Sequence, residues 1–421
     1  SVRDYLQSGA SSDRSRVTSM SLGRDQDIVP VLTYHSVGMR HDTWIWRHLS
    51  ERADVFARLL ERLARAGYCT VTLDQLHAHM SGEERCPPKS IVLAFDDGYL
   101  DNWTTVAPLL ESHGMRGTVY VNPEFVDPGS GRREQLRPDR AADGADVPDQ
   151  VGFMNWDELR ALDRSGTLDV QSHSLSHTWY PTGPDVEDGY LSATARQYPW
   201  MAWNARPERK PYYLAEDQST FVAAGTPVFR HEKSLIARRF VPDSDRVEDV
   251  VAAFPEFSSS APVGSEDWRR DYRDFVAHTI GDAVFPGSYE TADEREARVR
   301  GELATSKALI EEALDKTVRY LCWPGGGTDP DAKRLAREVG YRSWTLPSRE
   351  QVSKRNRPHD DPAQVKRLPA LRSNYFFGKK WGQGTERLTM LDIYAHQDSF
   401  MYSLVRKAYK LAVAAGLAGD R

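Results

Sequence analysis

Cysteine is scarce in this 421-residue chain: Cys69, Cys86 and Cys322 are an odd number with no CxxC spacing. That excludes a disulfide framework and gives no sign of a thiolate zinc site. No apolar run is long enough to span a bilayer, so an integral membrane protein is not expected. Basic excess is missing too. Fifty-five Lys+Arg stand against 61 Asp+Glu, a net charge of −6, without the positive footprint of a nucleic-acid binder. Residues 1–26 are polar and carry no signal-peptide apolar stretch, and the chain opens on Ser1 rather than Met. The expectation is a soluble, cytoplasmic chain, with export the alternative if a leader before Ser1 has been removed. What is present, 28% charged and 10% aromatic residues, is ordinary for a folded enzyme and excludes wholesale disorder.

Short apolar runs recur along the chain, and most end in chemically capable side chains. They read as strands at 28–34, 68–73, 90–95, 118–121, 168–170, 318–323, 341–346 and 391–395. Continuous apolar strands without alternation point to a parallel sheet buried on both faces. Between them lie helix signals. Val55, Phe56, Leu59, Leu60 and Leu63 form one stripe that Gly67 terminates. Asn155 with Glu158, and Thr291 with Glu294, read as capping boxes. Asp329-Pro330 opens a helix that Gly340 closes, and 400–417 reads as a terminal helix. Such alternation predicts an α/β barrel or a doubly wound sheet. In both, ligands bind at the C-terminal ends of strands.

The buried run SIVLAF ends in Asp96-Asp97-Gly98. Two adjacent carboxylates at the end of a buried strand repel unless a cation is near, and a metal ion is the simplest one. Downstream, His173 and His177 stand in HSLSH, a spacing that lets two imidazoles converge on one ion. One carboxylate and two imidazoles leave coordination positions open, as a catalytic metal site requires. The second carboxylate can then take a proton from acidified water. Taken singly, DDG reads as a turn and HxxxH as two surface histidines; their pairing at strand ends favours the metal reading.

These motifs resemble the polysaccharide deacetylase family (the NodB-homology domain, carbohydrate esterase family 4), whose hallmarks are [TS]FDDG and H[ST]xxH. Here they stand as AFDDG at 94–98 and HSLSH at 173–177, with VLTYHSV at 31–37 similar to the first barrel strand of many members. The resemblance covers about 28–178 and 290–400 and implies a distorted (β/α) barrel. It also implies a metal-dependent hydrolase that removes acetyl groups from N-acetylated sugars, with a carbohydrate substrate. By position, Asp96 is then the general base, while Asp97, His173 and His177 bind a divalent ion, usually Zn2+. A backbone N–H near Trp179 or Tyr180 serves the oxyanion, and His396 in LDIYAHQD stands as the acid. The implied organisation is an N-terminal extension (1–27), a first barrel part (28–178), an inserted substrate-facing subdomain (179–290), a second barrel part (291–398) and a C-terminal helix (399–421).

One departure matters. LCWPGGG at 321–327 puts Cys322 where the family commonly has an arginine. The Asp/Trp motif that tethers that arginine is also missing, unless Trp344 is its remnant. Arg367 or Arg372 in VKRLPALR is the expected substitute, and Trp323 and Pro324 are candidate substrate contacts. Gly325–Gly327 reads as a turn lining the site, and His35 as a structural residue at the barrel mouth. Trp200, Trp203, Tyr212 and Tyr213 read as the insertion's own core, His231–Lys233 as a solvated turn, and 127–150 as a mobile surface loop. The rival readings are an O-acetyl esterase, a non-sugar amidase and a degenerate glycan-binding protein.

Overall fold

The computed structural model describes residues 27–137, 151–260, 267–351, 353–370, 375–376, 379–380, 386–397, 404–409 and 411. Nine strands make one sheet, numbered here in chain order: β1 (Val31–Tyr34), β2 (Cys69–Thr70), β3 (Ser90–Phe95), β4 (Gly117–Val121), β5 (Leu168–Ser172), β6 (Tyr320–Leu321), β7 (Ser343–Thr345), β8 (Gln364–Val365) and β9 (Leu368–Pro369). Their spatial order is β8-β7-β6-β5-β4-β3-β1-β9, with β2 beside β3, and every pairing is parallel. All six residues of β3 are buried, as a parallel strand covered on both faces requires. Helices at Ala53–Arg65, Trp156–Ser165, Ala292–Leu314 and Pro330–Val339 pack outside it. Both expected capping boxes form, Asn155 with Glu158 and Thr291 with Glu294.

Chain connectivity forces the sheet to curl. Strands β8 and β9 stand at its opposite ends, yet only Lys366 and Arg367 separate them. Three Cα steps reach about 11 Å at most, so the two ends must meet and the barrel nearly closes. Asn356, fully buried, holds this seam. Its side-chain N–H donates to the carbonyls of Val29 (3.1 Å) and Lys366 (2.9 Å), and its Oδ1 accepts from the Lys366 N–H (2.9 Å).

Residues 179–260 and 267–290 fold over the open face. An antiparallel pair, Trp179–Gly189 with Pro227–Lys233, carries helices Ser244–Ser260 and Trp268–Ile280 on a core that includes Phe229, Phe254, Trp268 and Tyr272. A second aromatic layer joins insertion to barrel, with Trp203 and Tyr198 meeting Trp44, Tyr99, Phe125 and Phe153.

Several expectations need correction. The run 391–395 is not a strand but part of helix Glu386–Gln397. Its buried residues include Glu386, Met390, Ile393 and Gln397, spaced three or four positions apart, and Leu388, Thr389, Asp392 and His396 are buried beside them, a helical pattern that the short apolar run disguised. Leu368–Pro369 takes the place of the expected last strand. His231–Lys233 is strand rather than turn. Residues 127–137 are tied down rather than loose, because Arg133 donates to Glu158 through Nε (2.8 Å) and Nη2 (2.6 Å). Residues 138–150 and 1–26 lie outside the described residues, as does most of 399–421, where 404–409 are helical. Among the described residues no helix is long and apolar enough to cross a membrane.

Asn356→Ala strands buried polar groups at the seam and is expected to cost about 2–3 kcal/mol, read as a lower urea midpoint. A second outcome concerns Glu51, whose burial raises its carboxyl from 4.5 to about 7. Between those values the folded chain holds a proton that the unfolded chain has released, so stability falls as pH rises through the window. Thermal melts of Glu51→Gln across that range should lose less stability than the wild type does.

Candidate active site

Every group at the cavity floor sits where a barrel strand ends. His35 follows β1, Asp96 and Asp97 follow β3, Asn122 follows β4, His173 follows β5, and Arg367 follows β8. They line one cavity of about 490 Å³. The parallel direction of the strands does this, since it brings all the C-terminal ends to one rim.

Asp97 faces two imidazoles. Its Oδ1 lies 3.2 Å from His173 Nε2 and 3.4 Å from His177 Nε2. That oxygen is buried and makes no hydrogen bond. The three ligand atoms lie within 4.8 Å of one another. The local backbone is strained to achieve this, because Asp97 (φ 74°) and His177 (φ 43°) both occupy the left-handed region, which non-glycine residues rarely adopt without a functional constraint. His173 Nδ1 donates to the Cys322 carbonyl (2.8 Å). A carbonyl only accepts, so the tautomer is set and Nε2 is left to face Asp97. Burial lowers His177 to about 4, which keeps it neutral. Burial opposes ionisation of Asp97, but the His173 and His177 imidazoles outweigh it and hold the carboxyl well below the usual range. An anionic oxygen and two imidazole nitrogens converging without hydrogen bonds fit a divalent cation.

Asp96, 2% exposed, turns the other way. Arg367 Nη1 donates to both of its oxygens, at 2.8 and 2.9 Å. Burial would raise its pKa; Arg367, then His173 and His35, bring it down on balance. Of the two arginines expected to replace the one missing at 322, Arg367 makes the contact, and Arg372 lies outside the described residues. Cys322 packs in the barrel interior with Val92, Ala94 and Tyr120. Trp344 sits under Arg337, so it tethers no active-site arginine.

His35 was read as structural, yet its Nε2 lies 3.8 Å from Asp96 Oδ2 on the cavity wall. The signal was its place after β1, directly beside β3. Asp101 and Asn102 hold its segment. Asp101 Oδ2 accepts from Ser36 Oγ and the Val37 N–H, and Asn102 donates to the His35 carbonyl (3.0 Å). His396, in contrast, lies on helix Glu386–Gln397 and is not among the cavity-lining residues. Once that segment winds as a helix, its histidine no longer stands at a strand end.

Glu302 was invisible in sequence. It is buried on helix Ala292–Leu314 and accepts from the hydroxyls of Ser174 (3.2 Å), Ser176 (2.7 Å) and Ser234 (3.1 Å). This carboxylate pins the two serines of HSLSH to the insertion, and so aims both histidines. Trp179 lines the cavity beside His177 and stacks on Trp46 at 6.3 Å. Trp203 and Tyr213 also line it, so they serve the site as well as the insertion's packing. Tyr180 lies instead beneath Arg239 and Arg298. Trp323 and Pro324 are buried and do not line the cavity, while Gly325 and Gly326 reach it. A Cβ at Gly325 or Gly327 would stand 2.7 or 2.6 Å from the Lys233 chain. The glycines therefore let the insertion close against the barrel rim.

Arg367→Met leaves the buried Asp96 carboxylate unpaired and is expected to cost about 3–5 kcal/mol. Chelator-treated protein should show this as a lower denaturation midpoint, and Asp96→Asn in the same chain should restore most of the loss.

Residues 83–204, which contain both motifs, match the family model described as polysaccharide deacetylase. The poly-β-1,6-N-acetyl-D-glucosamine N-deacetylase of Escherichia coli (strain K12) is 26% identical over 133 residues, 32% of this chain and 18% of that protein. A putative polysaccharide deacetylase of Bacillus subtilis (strain 168) is 27% identical over 93 residues, 22% of this chain and 31% of that one. The match thus spans less than a third of either relative. The deacetylase domain of BpsB from Bordetella bronchiseptica aligns with a TM-score of 0.47 and 22% identity, covering 82% of this chain and 97% of that one. By both motifs and by the segment that carries them, residues 83–204 are similar to the polysaccharide deacetylase family.

Proposed function

We propose that this chain is a metal-dependent carbohydrate N-deacetylase acting on a GlcNAc-like residue of a bacterial polysaccharide, lipopolysaccharide or glycan precursor. One observation carries the reading. Asp97, His173 and His177 converge as a three-ligand set, while Asp96 is held apart from it by Arg367 in the same cavity. Zinc suits two imidazoles and a carboxylate. A divalent cation bound there supplies Lewis acidity toward the acyl oxygen and acidifies water.

The remaining work falls to the chain's own groups. Asp96, kept anionic by Arg367, accepts a proton from the attacking water. Among the described residues His35 is the one imidazole of the cavity wall outside the ligand set, and it replaces His396 as the group that protonates the departing amine. Trp46, Trp179, Phe125 and Phe153 give the cavity apolar walls, against which a sugar face and an acetyl methyl shed water. The match to a poly-β-1,6-N-acetyl-D-glucosamine N-deacetylase supports an amino-sugar substrate. The esterase and amidase readings share this site and differ only in substrate. A degenerate glycan-binding protein has no need of a complete base and ligand set.

Acetate release from N-acetylglucosamine oligomers decides between them. It should vanish on chelation, return with added zinc, and fall by about 10²–10⁴-fold in Asp96→Asn. Release from O-acetylated sugars alone would establish the esterase. Glycan binding without any release would leave the binding protein.

A further inference from the structure

The loop HSLSH carries two non-glycine residues in the left-handed region, Ser174 (φ 62°) and His177 (φ 43°). Such conformations persist only where the surroundings over-determine them. Here the determination comes through the loop's own carbonyls. Asn122 Nδ2 donates to the carbonyls of His173 and Ser174, the second at 3.2 Å. The Glu124 N–H donates to the Leu175 carbonyl at 3.3 Å. These three are held by the segment that follows β4. The next carbonyl, that of Ser176, is held from the insertion instead, by Lys210 Nζ at 2.8 Å.

Lys210 lies on the short 3-10 helix Pro207–Tyr212 and is only 2% exposed. Burying a lysine head group is costly unless its N–H groups are paired. Its second partner is the Glu124 carboxylate, and Nζ stands 5.6 Å from the centre of the Phe125 ring. Phe125 in turn meets the His177 imidazole edge-on, at 6.4 Å between ring centres. Lys210 does not line the cavity, and no step of the proposed reaction uses it. What it holds is the peptide that leads into His177. Fixing the Ser176 carbonyl fixes that peptide plane, and a φ of 43° then sets where the His177 Cα–Cβ bond points. Its Nε2 ends 3.4 Å from Asp97 Oδ1.

We infer that Lys210 is a positioning residue through which the insertion sets the metal affinity of the site: by holding the Ser176 carbonyl, it keeps His177 in the strained conformation that brings its imidazole to Asp97 and His173. This rests on the metal-dependent N-deacetylase reading and deepens it, since a ligand of the barrel motif then depends on a residue outside the barrel. Groups that orient a metal's ligands typically contribute about 10–100-fold to its affinity.

The test is calorimetric titration of zinc into chelator-stripped protein, which reads affinity without turnover. Lys210→Met should bind zinc roughly tenfold or more weakly than wild type. Lys210→Met/Glu124→Gln also removes the carboxylate charge left behind; it should show the same loss, and it serves if Lys210→Met does not fold. Tyr272→Phe is the control, because it removes only the hydrogen bond from the Tyr272 hydroxyl to the Gly225 carbonyl (2.6 Å) in the insertion's own core. It should lower the melting temperature and leave zinc affinity as in the wild type. Wild-type zinc affinity in the Lys210 variants would overturn the inference. So would an equal loss in Tyr272→Phe, which would mark the effect as a general loosening of the insertion. If wild type bound no zinc, the metal-dependent reading would fail first, and this inference with it.

Discussion

Two aspartates side by side at the end of a fully buried strand are tolerable only if each faces its own stabilising partner. Asp96 has the Arg367 guanidinium, and Asp97 has two imidazoles that aim the same nitrogen at one of its oxygens. The left-handed backbone at Asp97 turns consecutive carboxylates away from each other. That division puts an arginine-paired carboxylate and a separate carboxylate–imidazole cluster in one cavity. Its cost in strain and desolvation is borne by a sheet that is otherwise ordinary.

The rest of the molecule can be understood as holding that division in place. Because β8 and β9 sit at opposite ends of the sheet, Arg367 rides the two-residue link that closes the barrel, and closure itself delivers the guanidinium to Asp96. Asn356 locks the link. Glu302 gathers serines from the HSLSH loop and the insertion onto one buried oxygen, and the glycines at 325 and 327 make room for Lys233 at the rim. The insertion is thereby part of the cavity wall, contributing Trp179, Trp203 and Tyr213.

Legibility in the sequence followed the range of the interaction. The apolar run before Asp96 and the capping residues Asn155 and Thr291 act within a few positions, so pattern alone identifies them. Asp96, Asp97, His173 and His177 were legible because strand ends announce themselves and the metal reading needs few residue types. His35 was read as a structural residue at the barrel mouth; its approach to Asp96 was hidden, because nothing near it in the chain signals that β1 lies beside β3. Glu302 reads as one more charged residue on a helix until Ser174, Ser176 and Ser234 are seen around it. The run at 391–395 misled because a short apolar run carries too few periods to tell strand from helix.

The sequence by itself determined the strand-and-helix alternation, the parallel character of the sheet and the four motif residues, because these rest on local periodicity and on chemistry within short motifs. Tertiary structure alone decided which arginine neutralises Asp96, which imidazole besides His173 and His177 faces the cavity, and which aromatic rings wall it. Those choices depend on sheet closure and on the docking of the insertion; closure joins Asp96 to Arg367 across 271 residues. Contacts over such separations are set by the summed packing of the whole chain, and no local pattern encodes them.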